Sequence, residues 1–302
     1  MPMRQEDHRG SREKERESPK ALMNVLIRHV VGLAVTDCLN NPRSSTNNTA
    51  EDFDIRALLV STFVVSVRNV WFLVTAGHIF QQIGERLQSG RRIFKSRLLD
   101  GLTSTMKDPI PFDLDLSSVW YIDRDGYDYG LIPLHSFFAR PLIHGGIRPL
   151  TEKHWTDTHD PVDEYYLLGF PAQGQIITVT SNVDGGKIHV DYGSPLLPIQ
   201  RVIIPPDKLK TPNDRFYAKV PITTGKPGHE ETKLTDISGM SGGPIFAVNR
   251  VGQNKLSYWI IAVQSSWLPE SRILAACFIR PLIDGITKGL DQHPPDLKKH
   301  VV

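Results

Sequence analysis

The sequence predicts an all-β protein made of barrels or sandwiches, and two observations carry this prediction. Short apolar runs recur along most of the chain, separated by residues that favour turns. Many of these runs are spaced by about 8–12 residues, which is typical of antiparallel strands in barrels and sandwiches. Turn signals lie between neighbouring runs, at Arg68-Asn69 and at Asp184-Gly185-Gly186, and favour β-hairpins.

The first half of the chain alternates predicted strands with one loop and one helix. Residues 21–35 alternate well enough for a strand and, with Arg28 and His29 inside, are shorter than the roughly 20 apolar residues that cross a bilayer. Residues 37–54, rich in Asn, Ser and Thr, predict a loop. Residues 79–87 have helical spacing and predict a short helix. The predicted strands are 25–35, 55–67, 70–75, 93–99, 114–122 and 131–134.

The second half repeats this pattern. Residues 140–161, rich in Pro, Gly and His, are predicted to connect the two halves, and residues 221–231 predict a surface loop. Pro281 is predicted to open a terminal helix that reaches Lys288, because proline suits the first helical turn. The predicted strands are 165–170, 176–181, 187–192, 200–204, 216–220, 245–248, 257–263 and 273–279.

Composition narrows the classes of protein. The chain has 302 residues, 40% of them hydrophobic, which is enough for one large or two medium cores. A net charge of +2 indicates neither nucleic-acid nor membrane binding. The two cysteines, Cys38 and Cys277, are expected to be unpaired, which favours a reducing compartment. The first twenty residues mix charges and lack the apolar segment of a secretory signal, so we expect a cytoplasmic protein.

Three segments carry residues of nucleophilic catalysis. Gly239-Met240-Ser241-Gly242-Gly243-Pro244 precedes an apolar run, Val74-Thr75-Ala76-Gly77-His78 ends one, and Asp128 precedes another. A serine hydroxyl is a weak nucleophile that needs a base, and an imidazole base needs an orienting carboxylate. The order His78, Asp128, Ser241, each at a strand edge, therefore predicts acyl transfer by an activated serine. The N–H groups of Gly239 and Ser241 are the predicted oxyanion hole.

Other interpretations compete with this one. Asp123 and Asp125 are alternatives for the carboxylate, but they lie in a polar turn. The pattern Gly-x-Ser-x-Gly also describes α/β-hydrolases, whose Asp and His follow the serine. Here the histidines after Ser241 lie in a charged tail. His154 and His159, close to Asp157 and Asp160, suggest a metal site only weakly, and a surface loop is preferred; we expect no metal and no cofactor.

The three segments together resemble the chymotrypsin-like (trypsin-like) serine protease family. The resemblance implies two six-stranded antiparallel β-barrels with a short C-terminal helix and a cleft between the barrels. It implies a serine endopeptidase that acts on a protein or peptide substrate paired along residues 261–267. The implied substrate contacts are Thr235, Gln264, Ser265 and Ser266. The implied divisions are a polar tail at 1–20, barrels at 21–145 and 146–290, and a polar tail at 291–302.

Departures from the family refine these expectations. Met240 stands where the animal branch has an aspartate that pairs with a new N-terminus, so activation by cleavage is not expected. The disulfides of that branch are absent, and the chain is most similar in style to bacterial and intracellular trypsin-like peptidases without a PDZ domain. Thr235 stands where trypsins carry an acid, which predicts uncharged or small P1 residues. The alternative function is a catalytically silent peptide-binding scaffold of the same fold.

Overall fold

The computed structural model describes residues 19–40, 53–100, 109–156, 161–173, 176–180, 187–191, 193–224, 232–234, 236–251 and 255–292. The first-half strands are β1 (Val30–Asn40), β2 (Phe53–Val67), β3 (Val70–Thr75), β4 (Arg91–Asp100), β5 (Ile110–Pro111), β6 (Trp120–Arg124) and β7 (Tyr127–Pro133). The second-half strands are β8 (Glu164–Leu168), β9 (Ile176–Thr180), β10 (Lys187–Asp191), β11 (Leu196–Arg201), β12 (Arg215–Lys219), β13 (Thr223–Thr224), β14 (Thr232–Lys233), β15 (Pro244–Val251), β16 (Lys255–Leu268) and β17 (Ile273–Phe278). The α-helices are α1 (Pro19–Leu26), α2 (Gly77–Gln88), α3 (Ser136–His144), α4 (Lys153–Thr156) and α5 (Ile279–Gln292).

The first half forms one antiparallel sheet of seven strands. Its order is β5-β4-β1-β2-β3-β7-β6, so β3 and β7 are neighbours although a helix and three strands separate them in the chain. The β2–β3 turn follows the prediction: Arg68 and Asn69 have φ of 50° and 65°, as a two-residue type I′ hairpin requires. This order brings the end of β3 beside the start of β7.

The second half forms a closed six-stranded barrel. Its order is β11-β12-β17-β16-β15-β8, and the recorded strand pairs are antiparallel. The all-β class, the second barrel and the C-terminal helix are therefore confirmed. The first half differs from the expectation in strand number, with seven strands in its sheet where six were predicted.

A shared core joins the halves. One apolar cluster contains fully buried side chains from both, among them Phe63 of β2, Phe170 and Phe246 of β15. Such a cluster resists separation of the halves, because parting them exposes apolar surface to water. The division into barrels at 21–145 and 146–290 stays a prediction.

Some predicted elements were wrong. Residues 21–26 belong to α1, where Leu22 and Leu26, four positions apart, are both buried on one helical face. The predicted connection at 140–161 contains the end of α3 and all of α4. The predicted tails lose Pro19 and Lys20 to α1 and residues 291–292 to α5.

The cysteines, two predicted turn or loop segments and the lengths of the helices are compared next with the sequence predictions. Cys38 and Cys277 are free and buried, as expected. The turn at 184–186 and the loop residues 225–231 lie outside the described residues. Within the described part of the chain, every helix is too short or too polar to cross a bilayer.

A hydrogen bond from Tyr129 connects the two halves close to the end of β7 that carries Asp128. The Tyr129 side chain is 3% exposed, and its hydroxyl donates to the Phe278 carbonyl at the end of β17. The bond joins the strand after Asp128 to the second barrel and reinforces the interface that the shared core creates.

Replacing Tyr129 with Phe removes this bond and keeps the ring. We expect the free energy of unfolding to fall by about 1 kcal/mol, the net value of a typical buried hydrogen bond. Urea denaturation followed by circular dichroism measures the change. Tyr121→Phe is the control, because the Tyr121 side chain of β6 is 48% exposed. Equal losses in both variants would contradict the role of the Tyr129 bond.

Candidate active site

A close approach of backbone places His78 at the start of α2. Strand β3 ends at Thr75, and α2 begins at Gly77, directly before His78. A Cβ at Gly77 would lie 2.2 Å from the Ile122 carbonyl oxygen and 2.7 Å from that of Tyr129. Only glycine lets the helix start so close to β6 and β7. The result is that His78 faces the first residues of β7.

His78 and Asp128 share two hydrogen bonds. The His78 backbone N–H donates to Asp128 Oδ1 at 2.9 Å, and ring Nδ1 lies 2.8 Å from Asp128 Oδ2. Asp128 is 3% exposed, so its carboxylate is held in place by these partners. With the hydrogen on Nδ1, Nε2 is the acceptor of a neutral ring. This is the tautomer that a general base needs.

The charges of this pair shift both pKa values. Burial lowers the pKa of His78, but the hydrogen bond and charge of Asp128 raise it, and Asp123 adds to the rise, so the net shift is upward. Burial raises the pKa of Asp128, but bonds from His78 and Ser265 lower it, and the net shift is downward. The pair therefore favours an ionised Asp128 and a more basic His78.

The two alternative aspartates, Asp123 and Asp125, have other surroundings. Asp123 of β6 is the cross-strand partner of Asp128, and burial followed by the charge of Asp128 raises its pKa. Asp125 lies in the β6–β7 turn with φ of 56°, and its carbonyl accepts hydrogen bonds from Asn213. Of the three aspartates, Asp128 is the one whose carboxylate is hydrogen-bonded to His78.

Ser241 lies on a glycine-rich loop that packs against the first half. A Cβ at Gly242, where φ is +89°, would lie 2.0 Å from Thr75 Oγ1 and 2.4 Å from the Ser61 carbonyl oxygen. The Gly242 N–H donates to the Gln264 carbonyl at 2.8 Å. This packing places Ser241 beside the end of β3, which leads to His78.

The Ser241 hydroxyl donates to the Ser265 carbonyl, over 3.3 Å. The described residues contain no hydrogen bond between Ser241 Oγ and His78 Nε2. Ser265 connects the two sides of the site, because its own hydroxyl donates to Asp128 Oδ2 while its carbonyl accepts from Ser241. One residue of β16 therefore contacts both the carboxylate and the serine.

Two N–H groups of the serine loop donate no hydrogen bond within the part of the chain that the structure describes. Neither the Gly239 N–H nor the Ser241 N–H donates a hydrogen bond to another described residue, whereas Met240, Gly242 and Gly243 all donate to backbone carbonyls. Gly239 has φ of +89°, a conformation that favours glycine. Free donors on a packed loop can bind an anionic oxygen without reorganisation.

The predicted substrate residues have different surroundings. Gln264 is 1% exposed, and its backbone bonds to Gly242 and Gly243, so it lies under the serine loop. The hydroxyls of Ser265 and Ser266 face Asp128 and Arg215. Thr235 lies outside the described residues. These contacts place the Ser265 hydroxyl against the carboxylate of the His78–Asp128 pair and the Ser266 hydroxyl against Arg215.

Sequence reasoning missed Ser61. This β2 residue is fully buried; its hydroxyl donates to the Gly239 carbonyl at 2.7 Å and accepts from the Phe170 N–H at 2.8 Å. Ser61 thus fixes the peptide that precedes Met240 from the opposite half of the molecule. The only sequence signal is a polar residue within an apolar strand, which is too common to identify a site.

Sequence reasoning also missed Arg215 at the start of β12. Its guanidinium donates to the Ser265 and Ser266 hydroxyls and to the Cys277 sulfur. The Ser265 hydroxyl therefore links this cation to the Asp128 carboxylate by hydrogen bonds.

The weak metal pattern has no counterpart in the described residues. No three His, Cys, Asp or Glu side chains of that part of the chain lie together as a metal would require. The expectation of a surface loop was wrong for His154, which is 7% exposed and whose Nδ1 accepts the Thr151 N–H at 2.9 Å. Residues 157–160 lie outside the described part.

Comparisons with known proteins found similarity among solved structures. No family model matches the chain, and no curated protein is significantly similar to it. Rv3671c of M. tuberculosis H37Rv, solved in an inactive form, is 12% identical with a TM-score of 0.42, over 92% of this chain and 93% of that one. The HtrA-type protease AlgW, solved with a decapeptide, is 12% identical with a TM-score of 0.45, over 88% and 65%.

Catalytically inactive tobacco etch virus protease, complexed with substrate, is 11% identical with a TM-score of 0.40, over 88% of this chain and 86% of that one. The fold itself is assigned from the sheets of this chain, a seven-stranded antiparallel sheet followed by a closed six-stranded barrel. The fold is chymotrypsin-like.

The His78 ring should titrate above its ordinary pKa of about 6.5. Asp128→Asn should lower this pKa, because the charge that raises it is lost while burial, which lowers it, remains. NMR titration of the His78 ring Cε1–H measures both values. Asp125→Asn is the control, since its position in the exposed turn tolerates Asn at positive φ. An unchanged His78 pKa in Asp128→Asn would refute this account of the pair.

Proposed function

We propose that this protein is a serine endopeptidase that hydrolyses peptide bonds through an acyl-enzyme on Ser241. One observation carries the proposal: Ser265 contacts both Asp128 and Ser241, so a hydrogen-bonded His–Asp pair lies close to the serine loop. Two N–H groups of this loop donate to no other residue in the described part of the chain. These are the components that acyl transfer requires.

In the proposed first step, Ser241 Oγ attacks the carbonyl carbon of the scissile bond. His78 Nε2 accepts the serine proton and then donates it to the leaving amine, whose departure leaves an ester on Ser241. Water, deprotonated by the same Nε2, attacks the ester, releases the acid and regenerates the serine. The Ser241 hydroxyl must first turn from the Ser265 carbonyl to Nε2, and such bonds often form only with substrate present.

Asp128 supports both proton transfers. It fixes the hydrogen on Nδ1 and stabilises the imidazolium that forms when Nε2 takes a proton. The Gly239 and Ser241 N–H groups are the proposed oxyanion hole, which binds the negative oxygen of the tetrahedral intermediate. We assign no metal and no cofactor to any step.

A peptide substrate is proposed to pair with β16. The β15–β16 ladder runs only to the pair Pro244–Val263, whereas β17 pairs with β16 as far as Leu268. Among the described residues, one edge of 265–268 therefore has no pairing strand, and the Ser265 carbonyl in this segment accepts the Ser241 hydroxyl. An extended peptide can add to such an edge by main-chain hydrogen bonds. Preference for an uncharged or small P1 residue remains part of the proposal.

The second candidate is a peptide-binding scaffold without turnover. The bond from the Ser241 hydroxyl to Ser265, in place of His78, favours it. A fluorophosphonate probe separates the two candidates, because it modifies a serine that a neighbouring base activates. Mass spectrometry should locate the adduct on Ser241 of the full chain.

Ser241→Ala should leave the fold intact and abolish labelling. Turnover of a quenched-fluorescent peptide library should fall by about 10⁴-fold or more, because a Ser-His-Asp triad that loses its serine has no nucleophile for the acyl-enzyme. Ser238→Ala is the control, since Ser238 lies three residues earlier on the same segment and is exposed. Peptidase activity that survives in Ser241→Ala would show that the nucleophile is another residue.

Ser61→Ala tests the support of the oxyanion hole. It removes both bonds of the Ser61 hydroxyl, so we expect about 1–3 kcal/mol less stability and slower labelling of Ser241. Thr62→Val is the matched control, because its buried hydroxyl donates to the Val31 carbonyl, away from the loop. Thr62→Val should lose stability but keep the labelling rate per folded molecule. Equal labelling rates in both variants would remove Ser61 from the site.

A further inference from the structure

Arg215 is a cation without an acidic partner in the part of the chain that the structure describes. It is half-buried and opens β12, opposite Cys277 of β17. Its Nη2 donates to the Ser265 hydroxyl and, over 3.3 Å, to the Cys277 sulfur, while Nη1 lies 3.4 Å from the Ser266 hydroxyl. Its Nε is buried and has no hydrogen-bond partner among the described residues. The recorded hydrogen bonds of the Arg215 guanidinium thus go to neutral groups beside Asp128.

These contacts fix the direction of one hydrogen atom. A serine hydroxyl has a single hydrogen to donate and lone pairs to accept with. The Ser265 oxygen accepts from Arg215, and the Ser266 hydroxyl lies 3.3 Å from it. Because Arg215 can only donate and the ionised Asp128 carboxylate can only accept, the Ser265 hydrogen is directed to Asp128 Oδ2. The chain of donors runs from Arg215 through Ser265 to Asp128, whose other donor is His78.

We infer that Arg215 is a positioning residue of the proposed peptidase: its guanidinium fixes the Ser265 hydroxyl, which keeps the Asp128 carboxylate aligned with His78. The inference rests on the proposed function for its effect on turnover. Its geometry does not depend on that function. Arg215 touches neither the Ser241 hydroxyl nor His78 by a hydrogen bond among the described residues.

Arg215 also balances the charges around His78. Asp128 of β7 and Asp123 of β6 raise the His78 pKa, whereas Arg215 of β12 lowers it. Cys277 of β17 also lies against this group, and burial raises the pKa of its thiol, so it stays neutral. Loss of Arg215 therefore leaves burial alone to oppose the two carboxylates and moves the His78 pKa further up.

The first test uses Arg215→Met, which keeps a long side chain without charge or donors. We expect kcat on a short peptide to fall about 10- to 100-fold with little change in KM, comparable with the loss of outer-shell partners at metal sites. The acid limb of the kcat/KM profile should move to higher pH, because His78 must lose its proton to act as base. Arg215→Lys should keep the position of the acid limb better than Met does.

A double-mutant cycle tests the route through Ser265. If Arg215 acts by fixing that hydroxyl, Ser265→Ala combined with Arg215→Met should be little slower than Ser265→Ala alone. Additive losses in the cycle would show that Arg215 acts by another route and would overturn the inference. Thermal unfolding of each variant confirms that the compared proteins are folded.

Arg201→Met is the matched control. Arg201 of β11 lines the same cavity of about 420 Å³ as Arg215, but it is exposed and makes no hydrogen bond to Ser265 among the described residues. It should leave kcat and the acid limb unchanged. An equal shift of the acid limb in Arg201→Met would mean that general surface charge, and not Arg215, sets the His78 pKa.

NMR titration of His78 separates this inference from the proposed function. If the native chain neither labels nor cleaves, the proposed function fails, but a rise of the His78 pKa in Arg215→Met still supports the contact. If the native chain cleaves while Arg215→Met keeps both its kcat and its His78 pKa, the inference fails and the peptidase assignment stands.

Discussion

The Ser265 hydroxyl lies where the second barrel meets the first sheet, and it donates its hydrogen to Asp128. Asp128 belongs to β7 of the first half and Ser265 to β16 of the second, so this bond fixes the two halves at the point where the chemistry would occur. The same residue receives the Ser241 hydroxyl on its carbonyl. A small rotation of one half against the other would break both contacts together. The shared apolar core and the Tyr129 bond oppose that rotation, which makes interface packing a condition of the site geometry.

The serine loop is held by steric constraint as much as by hydrogen bonds. A side chain at Gly242 would collide with Thr75 and Ser61, and one at Gly243 would lie 2.3 Å from the Leu168 carbonyl oxygen. The loop therefore fits closely against both halves. Ser61 adds a hydrogen bond to the Gly239 carbonyl, which sets the plane of the following peptide. Preorganisation of this kind is valuable in catalysis because the donors need not move when negative charge develops.

The sequence could point to the proposed reacting residues because the chemistry of acyl transfer requires particular residue types within short motifs. The strand-end histidine, the aspartate before an apolar strand and the serine among glycines are visible locally, and the structure brings the first two into hydrogen bonding. Ser265 and Asp128 are 137 positions apart, so no local pattern encodes their contact, and Ser265 was predicted from the resemblance as a substrate residue. Helix α1 was missed because residues 21–26 fit both periods, and only packing against the core selects the helix.

The hydrogen bond of the Ser241 hydroxyl connects substrate binding with the proposed chemistry. Its 3.3 Å bond to the Ser265 carbonyl is long, and the net value of such a bond is about 1 kcal/mol or less. Turning the hydroxyl to His78 Nε2 exchanges this bond for one to a better acceptor, because Asp128 increases the basicity of the ring. The exchange also frees the Ser265 carbonyl, which lies on the edge of β16 that faces the serine loop. A peptide N–H that bonded to this carbonyl would displace the serine hydroxyl toward His78. In the proposed peptidase, binding of an extended substrate and activation of Ser241 would then be one event.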